Sequence, residues 1–194
     1  MNPQNQQPVI AIFGSHSPEP GSPLYETARE LGRRLAEAGF AVMTGGYEGT
    51  MAAASQGAAE SGGYVIGVTS AQVESSRDVT LNQWVSDEIK YHALQDRLSH
   101  LVRKNDGMVV VEGGIGTLSE LAFAWSLLQV REIPHRPLVV LGDLWEEILP
   151  KFLKSGYVSV GTAGLIKLVQ TPAAAVEIIK AFYPKIVLEG NRSA

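Results

Sequence analysis

Three short stretches of this chain carry residue types able to hold and act on a phosphorylated ligand. They are Gly14-Ser15-His16-Ser17, Gly45-Gly46-Tyr47-Glu48-Gly49-Thr50-Met51 and Gly113-Gly114-Ile115-Gly116-Thr117-Leu118-Ser119-Glu120. Glycine lets a backbone turn tightly and approach a ligand with no Cβ in the way. Where such a turn opens a helix, the unpaired N–H groups of the first turn and the positive end of the helix dipole suit a phosphate. Thr117 has the chemistry of a helix N-cap, and Glu120 stands three residues on. That spacing leaves two roles open for Glu120: the acidic member of a capping box, bonding backbone N–H groups, or a group facing the ligand. Gly45 and Gly46, with Gly49 and Thr50, either enclose the ligand from a second side or only make a turn. Gly14 and Ser15 offer a third wall, and His16 is the one histidine near a candidate ligand turn.

Other chemistries find less support. The glycine turns lack the Gly-Lys-Ser/Thr ending of a Walker motif, and the first shows no full G-x-G-x-x-G, so neither a nucleotide-triphosphate cradle nor a dinucleotide cofactor is indicated. No serine sits in a G-x-S-x-G elbow. His92, His100 and His135 lack metal-ligand spacing with carboxylates, so no metal site and no cofactor are expected. Arg97, taken by itself, reads as a solvated charge on a helix. The chain has no cysteine, which excludes disulfides and thiolate metal sites. Its net charge is −4, with acidic and basic residues mixed along the sequence and no basic block for a nucleic-acid groove or an anionic membrane. A phosphate would therefore be held by local geometry. No apolar run reaches the roughly 18 residues of a membrane helix. The polar start, Met1 to Gln7, does not resemble a secretion signal, so a cytoplasmic location is the default expectation.

The elements that must position these turns follow from apolar runs alternating with amphipathic stretches. Strands are predicted at 9–13, 40–44, 64–68, 108–111, 137–141 and near 168–169. Helices are predicted from Pro23 to Ala38 and over 50–61, 87–103, 117–129, 144–153 and 172–182. In the helix at 87–103, Ile89, Leu94, Leu98 and Leu101 are expected to face inward. Residues 70–86 resist assignment, and Trp84 either lies on a short strand or plugs the core. Continuous apolar runs such as Val9-Ile10-Ala11-Ile12-Phe13 suit strands buried on both faces. Their alternation with helices implies parallel crossover units. The expected fold is an α/β Rossmann-like three-layer sandwich with a mostly parallel sheet of six or seven strands. One domain is expected over residues 8–184, with flexible tails at 1–7 and 185–194. The glycine pairs fall just after the strands at 40–44 and 108–111, at carboxyl ends, where open α/β sheets bind ligands.

Asp96-Arg97, followed about fifteen residues later by Gly113-Gly114-x-Gly116-Thr117-x-x-Glu120, resembles the LOG (Lonely Guy) family, and Gly45 to Met51 matches its upstream glycine turn. The resemblance runs from about Val9 to Leu149. It implies a Rossmann-like homodimer that hydrolyses the N-glycosidic bond of a nucleoside 5′-monophosphate, AMP or a cytokinin ribotide, to free base and ribose 5-phosphate. Glu120 would act in glycosidic cleavage, Arg97 would face it, and Gly113, Gly114, Gly116 and Thr117 would hold the 5′-phosphate. The alternative is a non-catalytic carrier, since related molybdenum cofactor carrier proteins bind a phosphorylated pterin on a similar scaffold. A DNA-processing protein with a Rossmann core is disfavoured by the acidic balance. The old lysine decarboxylase label of many relatives has no support, as no pyridoxal-binding lysine context is visible. Two positions depart from the family pattern: Glu112 stands where a proline is usual, and Leu98 where a lysine is. A carboxylate beside a phosphate cradle is unfavourable unless it points away or is neutralised. Phe123, Trp125 and Leu127 give the helix around them more apolar surface than one face needs, as a dimer interface would.

Overall fold

The computed structural model describes residues 7–184. The expected tails therefore lie, apart from the exposed Gln7, outside the described residues. Seven strands form one sheet: β1 (Val9–Phe13), β2 (Ala41–Thr44), β3 (Val65–Ser70), β4 (Asp87–Tyr91), β5 (Gly107–Val110), β6 (Leu138–Leu141) and β7 (Ile166–Val169). Every pairing is parallel, in the order β4-β3-β2-β1-β5-β6-β7. The helices are α1 (Pro23–Glu37), α2 (Thr50–Glu60), α3 (Ala71–Arg77), α4 (Leu94–Arg103), α5 (Ile115–Gln129), α6 (Asp143–Leu153), α7 (Val160–Ala163) and α8 (Pro172–Phe182).

The period of two along each central strand builds both layers. Ile10 and Ile12 join Val42, Val109 and Val139 against Leu31 and Leu35 of α1, Ala54 and Ala58 of α2, and Ile179 of α8. Ala11 and Phe13 join Met108, Val110 and Val140 against Leu101 of α4, Leu121 and Trp125 of α5, and Trp145 of α6. Because both faces are covered, these strands read as unbroken apolar runs. The chain winds outward from β1 to β4, then returns to lay β5 beside β1. The carboxyl ends of β2, β1 and β5 thus lie side by side where the winding reverses, and each carries one of the three glycine turns.

The sequence expectations fail mainly between residues 70 and 94. The helix expected over 87–103 is two elements, an edge strand β4 and a shorter helix α4. Residues 88–91 alternate polar and apolar with a period of two, and the charges of β4 suit a strand with one partner only. Leu94, expected inward, is 47 % exposed at the first position of α4, whereas Leu101 is buried and Leu98 partly so. Trp84 is half-buried in a turn, where its backbone N–H donates to Asn82 Oδ1 at 3.1 Å, and lies on no strand. No helix among the described residues is long and apolar enough to cross a membrane.

Candidate functional site

The loop after β1 is stitched to the start of α2. The backbone N–H and the Oγ1 of Thr50 both donate to the Ser15 carbonyl, at 2.8 and 2.9 Å. Gly49 has φ +66°, and a Cβ there would lie 2.4 Å from the Ser15 oxygen, so only glycine fits. On the other side, a Cβ on Gly113 would meet Thr117 Oγ1 at 2.2 Å and the Ser15 nitrogen at 3.0 Å. Gly14, Ser15, Gly49, Thr50, Gly113 and Thr117 therefore form one contiguous ring over the ends of β1 and β5. His16 contributes backbone against Gly49, and its residue is exposed.

The start of α5 differs from the sequence expectation. The helix begins at Ile115 with Gly114 as its N-cap and no side-chain cap. Thr117 is buried within the first turn, so it is not the N-cap, and the capping-box role for Glu120 falls with it. Gly114 and Gly116 are exposed, with nothing near the positions their Cβ atoms would take. No side chain crowds the α5 start at these two positions, and its first N–H groups lack a side-chain cap, as a phosphate site requires.

Glu120 lies one turn further into α5. Burial of its carboxyl pushes the pKa up to about 7, against the opposing pull of the Arg97 guanidinium. Arg97 is itself buried, 7 % exposed, and is no surface charge. Burial lowers its pKa, while the field of Glu120 acts in the other direction. Arg97 Nε donates to the Val68 carbonyl at 2.7 Å and Nη2 to the Gly45 carbonyl at 3.1 Å. Gly45 is glycine for a reason of space: a Cβ there would lie 2.1 Å from Arg97 Nη2. Gly46 faces the other way. Its φ is +79°, and the nearest atoms to its missing Cβ belong to Thr69, Leu81 and Gly67. The structure thus joins Gly45 to Arg97 and Glu120, and turns Gly46 towards β3.

The two departures from the family pattern also find their places. Glu112 points away from the glycine ring: its Oε1 accepts from the Leu144 N–H at 3.0 Å and caps the start of α6. There its negative charge meets a helix N-terminus, a favourable position. Leu98 lies against the apolar cluster under α4 and α5. Tyr47 is a participant that spacing did not single out. It is 2 % exposed, and the Arg97 Cζ lies 5.3 Å from the centre of its ring. An aromatic inside a glycine turn was the only available signal, and it does not say which way the ring faces.

The model of the SLOG cluster4 family matches residues 7–161. The chain belongs to that family. Among its distant relatives is a probable cytokinin riboside 5′-monophosphate phosphoribohydrolase of Oryza sativa subsp. japonica, 27% identical over 181 residues that cover 91% of this chain and 72% of the relative. Two solved structures resemble this SLOG protein with TM-score 0.72. One is a molybdenum cofactor binding protein of Rippkaea orientalis, 25% identical, covering 92% of this chain and 98% of the other. The second is the molybdenum cofactor carrier protein of Chlamydomonas reinhardtii, 27% identical, covering 93% and 100%. The resemblance to LOG proteins seen in the sequence is borne out at the level of the family.

Proposed function

We propose that this SLOG protein binds a nucleoside 5′-monophosphate, AMP or a cytokinin ribotide, and hydrolyses its N-glycosidic bond. The observation that carries this reading is the Glu120 carboxyl, raised to about 7 and set beside a buried arginine one helix turn from an open glycine turn. The 5′-phosphate would sit at the start of α5, on the N–H groups around Gly114 and Gly116, with Thr117, Gly113, Ser15 and Gly14 behind it. In the reaction the C1′–N bond breaks, a water oxygen bonds to C1′, and the base leaves with a proton. Positive charge develops on the ribose ring as the bond stretches. An ionised Glu120 stabilises that charge or takes a proton from the water, and a pKa near neutrality lets one group serve both states. Arg97 offers a charged donor to phosphate, ribose or the carboxylate itself.

A second reading has a specific observation behind it, the overlap with two molybdenum cofactor proteins over nearly their whole length. A carrier would use the same glycine ring for the phosphate of a pterin and would need no carboxyl poised near neutrality. Release of ribose 5-phosphate separates the readings. Wild type should release it from AMP or cytokinin ribotides, and Glu120→Gln should lose on the order of 100-fold or more. Binding of nucleotides without any turnover would favour the carrier.

Residues 8–184 would act as one domain, paired as a homodimer through the groove between α5 and α6. That groove has a volume of about 510 Å³ and is lined by Leu118, Trp125, Ile148, Phe152 and Tyr157. Phe152 is 52 % and Tyr157 94 % exposed, surface that a partner would cover. Sedimentation at micromolar concentration should give twice the chain mass; a monomer would contradict the pairing.

A further inference from the structure

Arg97 has more donors than its two backbone partners use. Among the described residues, Nε and Nη2 have partners and Nη1 has none. Among the described residues, Ser22 Oγ is the only fully enclosed side-chain polar atom without a partner, so the unpaired Nη1 must reach open space. No carboxylate of the described residues forms a salt bridge with this guanidinium, although Glu120 is near enough for its charge to be felt. The arginine is therefore anchored along one edge and free along the other.

Two carbonyls in the guanidinium plane do not stop it from tipping out of that plane. The Tyr47 ring does, because the Arg97 Cζ lies over its face at 5.3 Å. The ring is itself immobilised. Its hydroxyl accepts from the Ser70 N–H at 2.8 Å and donates to the Ser70 carbonyl at 3.1 Å, at the end of β3. One short turn thus supplies both the Gly45 carbonyl and the aromatic face, and β3 supplies the Val68 carbonyl and the Ser70 tether.

We propose that Tyr47 is a positioning residue: tethered to Ser70, it holds the Arg97 guanidinium so that Nη1 faces the ligand space beside Glu120. This rests on the acid/base reading of Glu120 given above. It would explain why a turn built for close backbone approach also carries a large buried aromatic. Besides Glu120 and the Tyr47 hydroxyl, the titratable group whose field bears on Arg97 is Arg77 at the end of α3, which opposes a second positive group nearby.

The test reads the neighbour that Arg97 influences. The Glu120 side-chain carboxyl carbon is followed by NMR against pH in the whole chain, as wild type, Tyr47→Phe and Tyr47→Leu. Wild type should titrate near 7. In Tyr47→Leu the guanidinium loosens, its lowering effect weakens, and the midpoint should rise by roughly 0.5 to 1 unit. Tyr47→Phe, which keeps the ring, should move it less than half as far. A wild type near 7 with an unmoved Tyr47→Leu overturns the positioning role alone. A wild type near the ordinary 4.5 overturns the acid/base reading and this inference with it. Should Tyr47→Leu fail to fold, Tyr47→Phe decides the matter, because it removes the Ser70 tether and keeps the ring: a midpoint above that of wild type supports the positioning role, and an unmoved midpoint overturns it.

Discussion

The two glycine-rich turns after β2 and β5 look alike in sequence and differ in what surrounds them. In the first, every glycine meets protein. Gly45 leaves room for Arg97, Gly46 for the β3 side, and Gly49 for the Ser15 carbonyl. In the second, Gly113 is pressed against Thr117 while Gly114 and Gly116 meet nothing. The first turn is a closed frame whose product is a fixed arginine. The second is an open helix start, with free space at two glycines and no side-chain cap. A glycine therefore carries different information according to whether protein or empty space lies where its Cβ would be.

The contrast predicts unequal responses to the same small change. Gly49→Ala puts a Cβ against backbone at a φ of +66°. It should cost about 3 kcal/mol or more in denaturant unfolding, from strain and overpacking together. A loss below about 1 kcal/mol would show that the frame yields and is not closed.

A smaller effect concerns the carboxyl that the frame does not pair. Glu120 has its pKa raised from 4.5 to about 7. A raised carboxyl pKa means that the folded state keeps its proton while the unfolded chain has released it. Stability is then full below about 4.5, falls as pH rises towards 7, and levels off above. Glu120→Gln lacks this slope. Between pH 4 and pH 8 it should gain about 2 kcal/mol on wild type, less than the full shift implies because the residue keeps some contact with water. Parallel stability curves for the two proteins would rule out the buried, unpaired carboxyl.

The smallest expected effect is at the open turn. Gly116→Ala lies in the first turn of α5 with free space around it, so stability should rise by about 0.5 kcal/mol through helix propensity. A destabilised Gly116→Ala would mean that this turn, too, is closed.

The core of the fold was legible because the central strands are buried on both faces, as at Val9 to Phe13 and Val109 to Val111. β4 was not, because an edge strand of Asp87-Glu88-Ile89-Lys90-Tyr91 carries charges that suit an exposed helix equally well. The N-cap of α4 is Ala93, which makes no side-chain cap, so nothing marked where that helix starts. In the site, the glycine turns could be located from their place after strands. Burial of Arg97 could not, since it depends on the Val68 and Gly45 carbonyls, 29 and 52 residues away. Glu112 reads as an obstacle to phosphate in sequence and proves to cap α6. That role depends on β5 and α6 meeting at the carboxyl edge of the sheet.

The central claim is that the open turn at Gly113 to Thr117 is a phosphate site. Titration calorimetry of the wild-type protein with AMP and with adenosine tests it most directly, because the two ligands differ only in the 5′-phosphate. Charge-assisted hydrogen bonds to the α5 start should make AMP bind about tenfold tighter or more. Equal affinities for AMP and adenosine would contradict the account.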